Sequence, residues 1–213
     1  MATSNHTAGE ALNTGTAVVI LASASAARQT LLEQAGVLFQ AIPAFVDEDE
    51  IKRSMRADGA DGAAIAEALA EIKAQQVSNH HPDAVVIGAD QVLQCDGEMF
   101  DKPHDMADAR NQLCALRGRW HELVICACVV QGGVRQWHHV ARARLLMRSF
   151  SDDFLETYLE TAGDEVLAGP GAYQIERLGA QLFARLDGDH ATILGLPLLP
   201  VLDYLRGRQV LSS

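Results

Sequence analysis

Apolar residues fall along this chain in two rhythms, short unbroken runs and stripes of helical period, and glycine, proline and aspartate punctuate the changes between them. Residues 17–21, 85–93 and 123–130 are runs fit for strands buried on both faces. Residues 140–148 alternate instead, with Ala141, Ala143, Leu145 and Met147 on one face and Arg142, Arg144 and Arg148 on the other. Helices are predicted over 26–35, stopped by Gly36, and over 62–77, where Ile65, Leu69, Ile72 and Gln76 form a stripe. Lys73 lies at the edge of that stripe and points toward the interior. Asp105 and Ser151 read as N-caps of two further helices, closed by Gly118 and Gly163, and a last helix is expected over 198–205. Asp96-Gly97 and Gly132-Gly133 are hairpin turns, and two short strands are expected around Asp187-Gly188-Asp189. Tight hairpins join only antiparallel strands, so the pattern predicts an α/β fold with a mixed sheet rather than a purely parallel one.

Composition narrows this picture. A chain of 213 residues with 48% apolar content suits one domain, here 17–213, preceded by a polar tail over residues 1–16 expected to be disordered. The formal net charge of -11 argues against a nucleic acid polymer or an anionic membrane as partner, so an anionic ligand has to meet a local positive site. The apolar segment 17–22 is too short for a signal sequence or a membrane span, and a cytoplasmic protein is expected. Cys95, Cys114, Cys126 and Cys128 lack metal-finger spacing and read as buried free thiols.

Candidate chemistry gathers at a few positions. Asp90 is a carboxylate inside an apolar strand, which is costly unless a cation, metal or substrate answers it. It reads as a divalent-metal ligand, as a base orienting water, or as a structural carboxylate. In the stretch 21–28, small residues, Ser23, Ser25 and Arg28 lie where a strand turns into a helix N-terminus, an arrangement that suits an anion; the plainer reading makes Ser25 an N-cap only. Lys73 and Lys102 can neutralise phosphate or simply reach water. The acidic run 47–50 can lend Glu48 to a metal or form a solvated face. His121 and His190 read as structural histidines, and no nucleophile elbow, Walker loop or His-Glu-x-x-His motif is present.

Taken in order, Leu21-Ala22-Ser23-Ala24-Ser25 with Arg28, Val46-Asp47-Glu48, Lys73-Ala74, Gly88-Ala89-Asp90-Gln91, Lys102-Pro103, Gly118 with His121, Gly171-Ala172-Tyr173 and Gly195-Leu196-Pro197-Leu198 resemble the Maf family, the septum formation inhibitor proteins. The similarity runs over about residues 18 to 206. It implies an elongated, ITPase-like sheet with flanking helices, a cleft between two lobes and a homodimer. It also implies a nucleoside triphosphate pyrophosphatase using Mg²⁺ or Mn²⁺. Carried over by position, it makes Asp90, Lys73 and Lys102 catalytic, puts Ser23, Ser25 and Arg28 in the phosphate loop, and sets Glu48 beside Asp90 on the metal side. The chain departs from Ser-Pro-Arg-Arg at the loop, where it has Ser25-Ala26-Ala27-Arg28. Gln91 and Glu176 stand where members preferring dTTP and UTP usually show threonine and glutamine, and both resemble the branch preferring 7-methyl-GTP. A carboxylate at Glu176 can accept hydrogen bonds from a guanine's N1–H and amine. A noncatalytic nucleotide-binding regulator of cell division and a general phosphatase are the competing expectations.

Overall fold

The computed structural model describes Asn13 and residues 17–212. Apart from Asn13, whose side-chain amide exchanges two hydrogen bonds with the main chain of Leu38, the tail expected over residues 1–16 lies outside the described residues. Among the described residues seven strands form one sheet: β1 (Val19–Leu21), β2 (Gln40–Ala41), β3 (Val85–Cys95), β4 (Glu98–Phe100), β5 (Trp120–Gln131), β6 (Val134–Met147) and β7 (Phe183–Asp187). Their order is β2-β1-β3-β5-β6-β7, with β4 added to the end of β3. β1 runs parallel to β2 and β3, and every other pairing is antiparallel, which the two hairpin turns demand of β3–β4 and β5–β6. At the β3–β4 turn Asp96 and Gly97 both take positive φ, 49° and 88°, which is why an Asp-Gly pair fits there.

Among the described residues seven α-helices flank the sheet: α1 (Ala26–Gln34), α2 (Glu48–Ala57), α3 (Gly62–Ser78), α4 (Met106–Leu116), α5 (Asp152–Ala162), α6 (His190–Ile193) and α7 (Leu198–Gly207). The two-residue period of the strands sorts the core. Ile20 of β1, Val86 and Val92 of β3, and Cys126, Cys128 and Val130 of β5 face α3. The opposite face carries two separate clusters, one of Leu21, Ile87 and Val129 under α1 and α7, the other of Leu93, Ile125 and Leu145 under α4 and α5. No helix among the described residues is long and apolar enough to cross a membrane.

Several local expectations change. α2 is a helix the apolar pattern does not announce, because none of its ten residues is buried. The buried stripe of α3 runs through Ile65, Ala66, Leu69, Ala70, Lys73, Ala74 and Val77, so Lys73 lies within it and Ile72 and Gln76 flank it. β6 begins at Val134 because the doubly buried β5 supplies partners for its exposed first half. After Gly188 the chain enters α6, capped by Asp189, instead of a second short strand, and exposed His190 opens that helix. Arg148 leaves the arginine face: it lies over the Phe154 ring while Arg142 pairs with Glu122 and Arg144 lies over Trp120.

Candidate active site

The site starts from an interruption in the sheet. β1 pairs with β3 as far as Leu21 opposite Ile87, and β4 pairs with the same edge only from Leu93 opposite Phe100. Residues 88–92 of β3 are therefore laddered to β5 on one side and open on the other. Beyond Leu21 the chain leaves the sheet through Ser23 and Ser25 into α1, with Ser25 as its N-cap. Arg28, one turn into that helix, spans the opening. Its Nη1 donates to the Ala89 carbonyl at 2.8 Å and to Ser23 Oγ at 3.2 Å, and its Nε donates to the Gly195 carbonyl at 2.8 Å. The guanidinium thus closes a bare strand edge and ties three segments together. Gln91, half-buried, lies next to Gly195 and Arg28.

Asp90 occupies the middle of the opening and is only 4% exposed. Lys73, 8% exposed, reaches it from α3 with Nζ 2.6 Å from Oδ1, and the same ammonium lies 2.8 Å from Glu48 Oε1. This reach depends on how closely α3 approaches the sheet. A Cβ placed on Gly88 would meet the Ala70 carbonyl oxygen at 2.1 Å and Ala74 Cβ at 2.9 Å, so only glycine lets the helix lie where it does. The other carboxylate oxygen, Asp90 Oδ2, is buried with no hydrogen-bond partner. Burial lifts the Asp90 carboxyl above its ordinary range against the pull of Lys73 and Arg28. Glu48 moves the other way: burial raises it, but Lys73, Lys52 and Lys102 together hold it below the ordinary range.

The chain contains three lysines among its seventeen basic residues, and all three converge on Glu48. Lys52 was not foreseen; it projects from α2 and lies 3.9 Å from Glu48 and 3.2 Å from Asp101. Arg56, one turn further, grips Asp101 with both terminal nitrogens, at 2.7 and 3.1 Å. Lys102 follows Asp101 and is exposed, with no ion pair among the described residues. The scarcity of lysine was the available signal for Lys52, since a residue type so sparingly used is informative wherever it occurs.

Of the residues expected in the site, Asp90, Lys73, Glu48, Ser23, Arg28 and Gln91 come together, Ser25 caps the adjoining helix, and Lys102 flanks Glu48. Glu176 is exposed, and among the described residues no hydrogen bond or ion pair joins it to this cluster. His121 lies elsewhere, its Nε2 2.9 Å from the Tyr173 hydroxyl, and burial pushes its pKa down to about 4, in keeping with a neutral structural histidine. Burial drives the Cys126 and Cys128 thiols up to about 12, so both are inert. No group of three metal-ligating side chains occurs among the described residues. A cation that needs few protein ligands suits the donor set, because Asp90 Oδ2 has no hydrogen-bond partner and both it and Glu48 offer hard oxygen atoms.

Proteins of similar sequence share nearly the whole chain. One from Granulibacter bethesdensis is 52% identical over 194 residues, covering 91% of this chain and 98% of its own. Others from Paramagnetospirillum magneticum and Rhodospirillum rubrum are 52% and 51% identical, covering 88% and 92% of this chain and 96% of each of theirs. All three are named "Nucleoside triphosphate pyrophosphatase". The family model described as "Maf-like protein" matches residues 18–208, which include the loop through Arg28, the Glu48 and Lys73 helices and the Asp90 strand, and the chain belongs to that family.

Proposed function

We propose that this protein hydrolyses nucleoside triphosphates between the α- and β-phosphates, releasing a nucleoside monophosphate and pyrophosphate. The observation that carries this reading is the buried, unpartnered oxygen of Asp90 in a break of the sheet where every lysine of the chain gathers. Named relatives at about half identity support it. In the reaction a water attacks the α-phosphorus while pyrophosphate leaves in line, and Asp90 Oδ2 either takes that water's proton, a task its raised pKa suits, or serves as an oxygen donor to the cation considered below. Lys73 holds Asp90 and Glu48 in place, and Lys52 and Lys102 face the charge that develops on the leaving phosphates. Ser23 and the open N-terminus of α1 offer donors for the same phosphates.

A divalent cation belongs to this proposal on charge grounds. Counting only side chains that pair with, or act directly on, Glu48, Asp90 or Asp101, five cations (Arg28, Lys52, Arg56, Lys73 and Lys102) face these three carboxylates, a surplus of two. A triphosphate carries about four negative charges, so two remain to be matched. Mg²⁺ or Mn²⁺ held by Asp90 and Glu48 would supply that charge and stabilise the oxygens of the reacting phosphates.

For the base we assign 7-methyl-GTP, supported by Ala27 in place of the first loop arginine and by Gln91 and Glu176. The test is a panel of canonical and methylated nucleoside triphosphates with Mg²⁺ or Mn²⁺, assayed for pyrophosphate and orthophosphate. Pyrophosphate from the wild type and loss of it in Asp90→Asn is the expected result. Orthophosphate as product would make the protein a general phosphatase, binding without turnover would make it a regulator, and preference for dTTP or UTP would remove the base assignment alone.

A further inference from the structure

The helix that carries Glu48 and Lys52 is mounted on charge rather than on core. None of the ten residues of α2 is buried, and only Ile51 and Met55 lean on the cluster beneath. Its attachments are ion pairs. At the N-terminal end Glu48 meets Lys73; a turn later Lys52 meets Asp101 at 3.2 Å; one turn beyond, Arg56 closes a two-pronged bond on the same carboxylate. Asp101 itself is a fixed post. Its carbonyl accepts from Gln112 Nε2 at 3.1 Å, and Gln112 Oε1 accepts from the Gly171 N–H at 2.9 Å, so a buried glutamine of α4 secures the segment just before Lys102. Burial raises the Asp101 carboxyl, but Arg56 and Lys52 overcome it and keep the group below the ordinary carboxylate range.

We propose that the Arg56–Asp101 pair is a positioning latch that holds α2 against the Lys102 segment and thereby fixes Glu48 and Lys52 opposite Asp90. The six charges Asp90, Lys73, Glu48, Lys52, Asp101 and Arg56 alternate in sign from one end of the site to the other, and the latch is the terminal link. A planar guanidinium holding both carboxylate oxygens sets direction as well as distance, which a single ammonium contact cannot do. Neither residue touches the reacting phosphates; both act through the side chains they place. The inference rests on the proposed pyrophosphatase activity for its kinetic half only.

Arg56→Met, Asp101→Ala and the double variant test it, with Arg53→Ala as control, since Arg53 is exposed on the same helix. Hydrogen exchange of peptides spanning 48–57 and steady-state pyrophosphate release are measured on the full chain. Each single variant is expected to speed exchange in α2 about tenfold, with α3 and β3 peptides protected as before. KM for the triphosphate is expected to rise about tenfold with kcat within about threefold, and the double variant to be no worse than the worse single one. Arg56→Lys should recover part of the loss, and Arg53→Ala should change nothing. Additive losses, unmoved exchange in α2, or equal effects from Arg53→Ala would overturn the latch. A wild type that releases no pyrophosphate overturns the parent reading and the kinetic half with it, whereas an active wild type whose variants keep KM overturns the latch alone.

Discussion

Replacing Gly88 by alanine tests how the packing of α3 on the sheet makes the site. The added Cβ would lie 2.1 Å from the main-chain oxygen of Ala70, whereas a carbon and a carbonyl oxygen rest at about 3.3 Å. Helix and strand therefore have to separate by about 1.2 Å, and the movement is shared by everything α3 carries, including the Lys73 ammonium now 2.6 Å from Asp90. Overpacking of this kind costs about 1–3 kcal/mol of stability. A displacement near 1 Å at a catalytic group costs about a hundredfold in rate, or about 2.7 kcal/mol of transition-state stabilisation. Urea unfolding and kcat/KM for pyrophosphate release measure the two losses separately. Removing the second obstacle with Ala74→Gly should not restore activity, because the closest atom is a carbonyl that no substitution removes. Gly207→Ala in α7, where a Cβ meets nothing within 4 Å, is the control and should be neutral or slightly stabilising. A Gly88→Ala enzyme with wild-type stability and activity within about threefold would refute the claim that close approach of α3 places Lys73.

Three further outcomes follow from the same structure. Asp90→Asn should unfold within about 1 kcal/mol of the wild type while activity falls by about 10²–10⁴, because burial already disfavours the charge on this carboxyl and Lys73 keeps Glu48 as partner; equal losses of both in calorimetry and turnover assays would contradict this. His121 is neutral in the fold down to about pH 4, whereas in the unfolded chain it binds a proton below about 6.5, so stability should fall as pH drops through that window by about 3 kcal/mol more in the wild type than in His121→Phe, measured by urea titration at each pH. Because the protein as a whole repels a triphosphate, kcat/KM should rise rather than fall between about 10 and 100 mM salt, as the screening length shrinks from about 30 to 10 Å; a steady decrease would show attraction at long range instead.

The parts of the site legible in the sequence are those that local pattern encodes. A carboxylate in the run 85–93, a Gly-less small-residue loop before a helix, and an Asp-Gly turn each carry their own signal, and Asp90, Ser23, Ser25 and the β3–β4 hairpin are where those signals put them. The stripe of Ile65, Leu69, Ile72 and Gln76 misplaces the buried face of α3 by about one residue because it leaves out the alanines. Against a sheet that approaches through Gly88, alanine is the apolar residue that fits, and Ala66, Ala70 and Ala74 are fully buried. α2 was hidden for the opposite reason: a helix with no buried residue has no apolar stripe to find. Its other marks were present, an Asp47 N-cap, acids in the first turn and Arg56 in the last, but an acidic run also describes a solvated loop. Lys52, Arg56 and their grip on Asp101 depend on that helix and went unseen with it. The opening along β3 lies beyond local pattern altogether, since it exists only because two strands distant in sequence pair with one edge and stop short of each other.

An acidic protein that takes up a polyanion must keep its positive charge from being spent elsewhere, and the division of labour between its two basic residue types shows how. Nine arginines away from the site are committed to acids or rings: Arg110 to Glu156, Arg117 to Asp152, Arg119 to Asp96, Arg135 to Glu67 and Glu71, Arg142 to Glu122, Arg177 to Glu165, and Arg144, Arg148 and Arg185 over aromatic rings. Arg28 and Arg56 belong to the site's neighbourhood yet serve as ties, their planar forks matched to fixed acceptors. Lys73 is buried between Asp90 and Glu48 and holds both. Lys52 and Lys102 do the opposite: each is a point charge on a long stem that, in the proposed reaction, can turn to a phosphate without rebuilding a two-pronged geometry. Rigid cations therefore build the frame and, in the proposed reading, Lys52 and Lys102 face the ligand, so that a chain with a net charge of -11 sets cations around the break along β3.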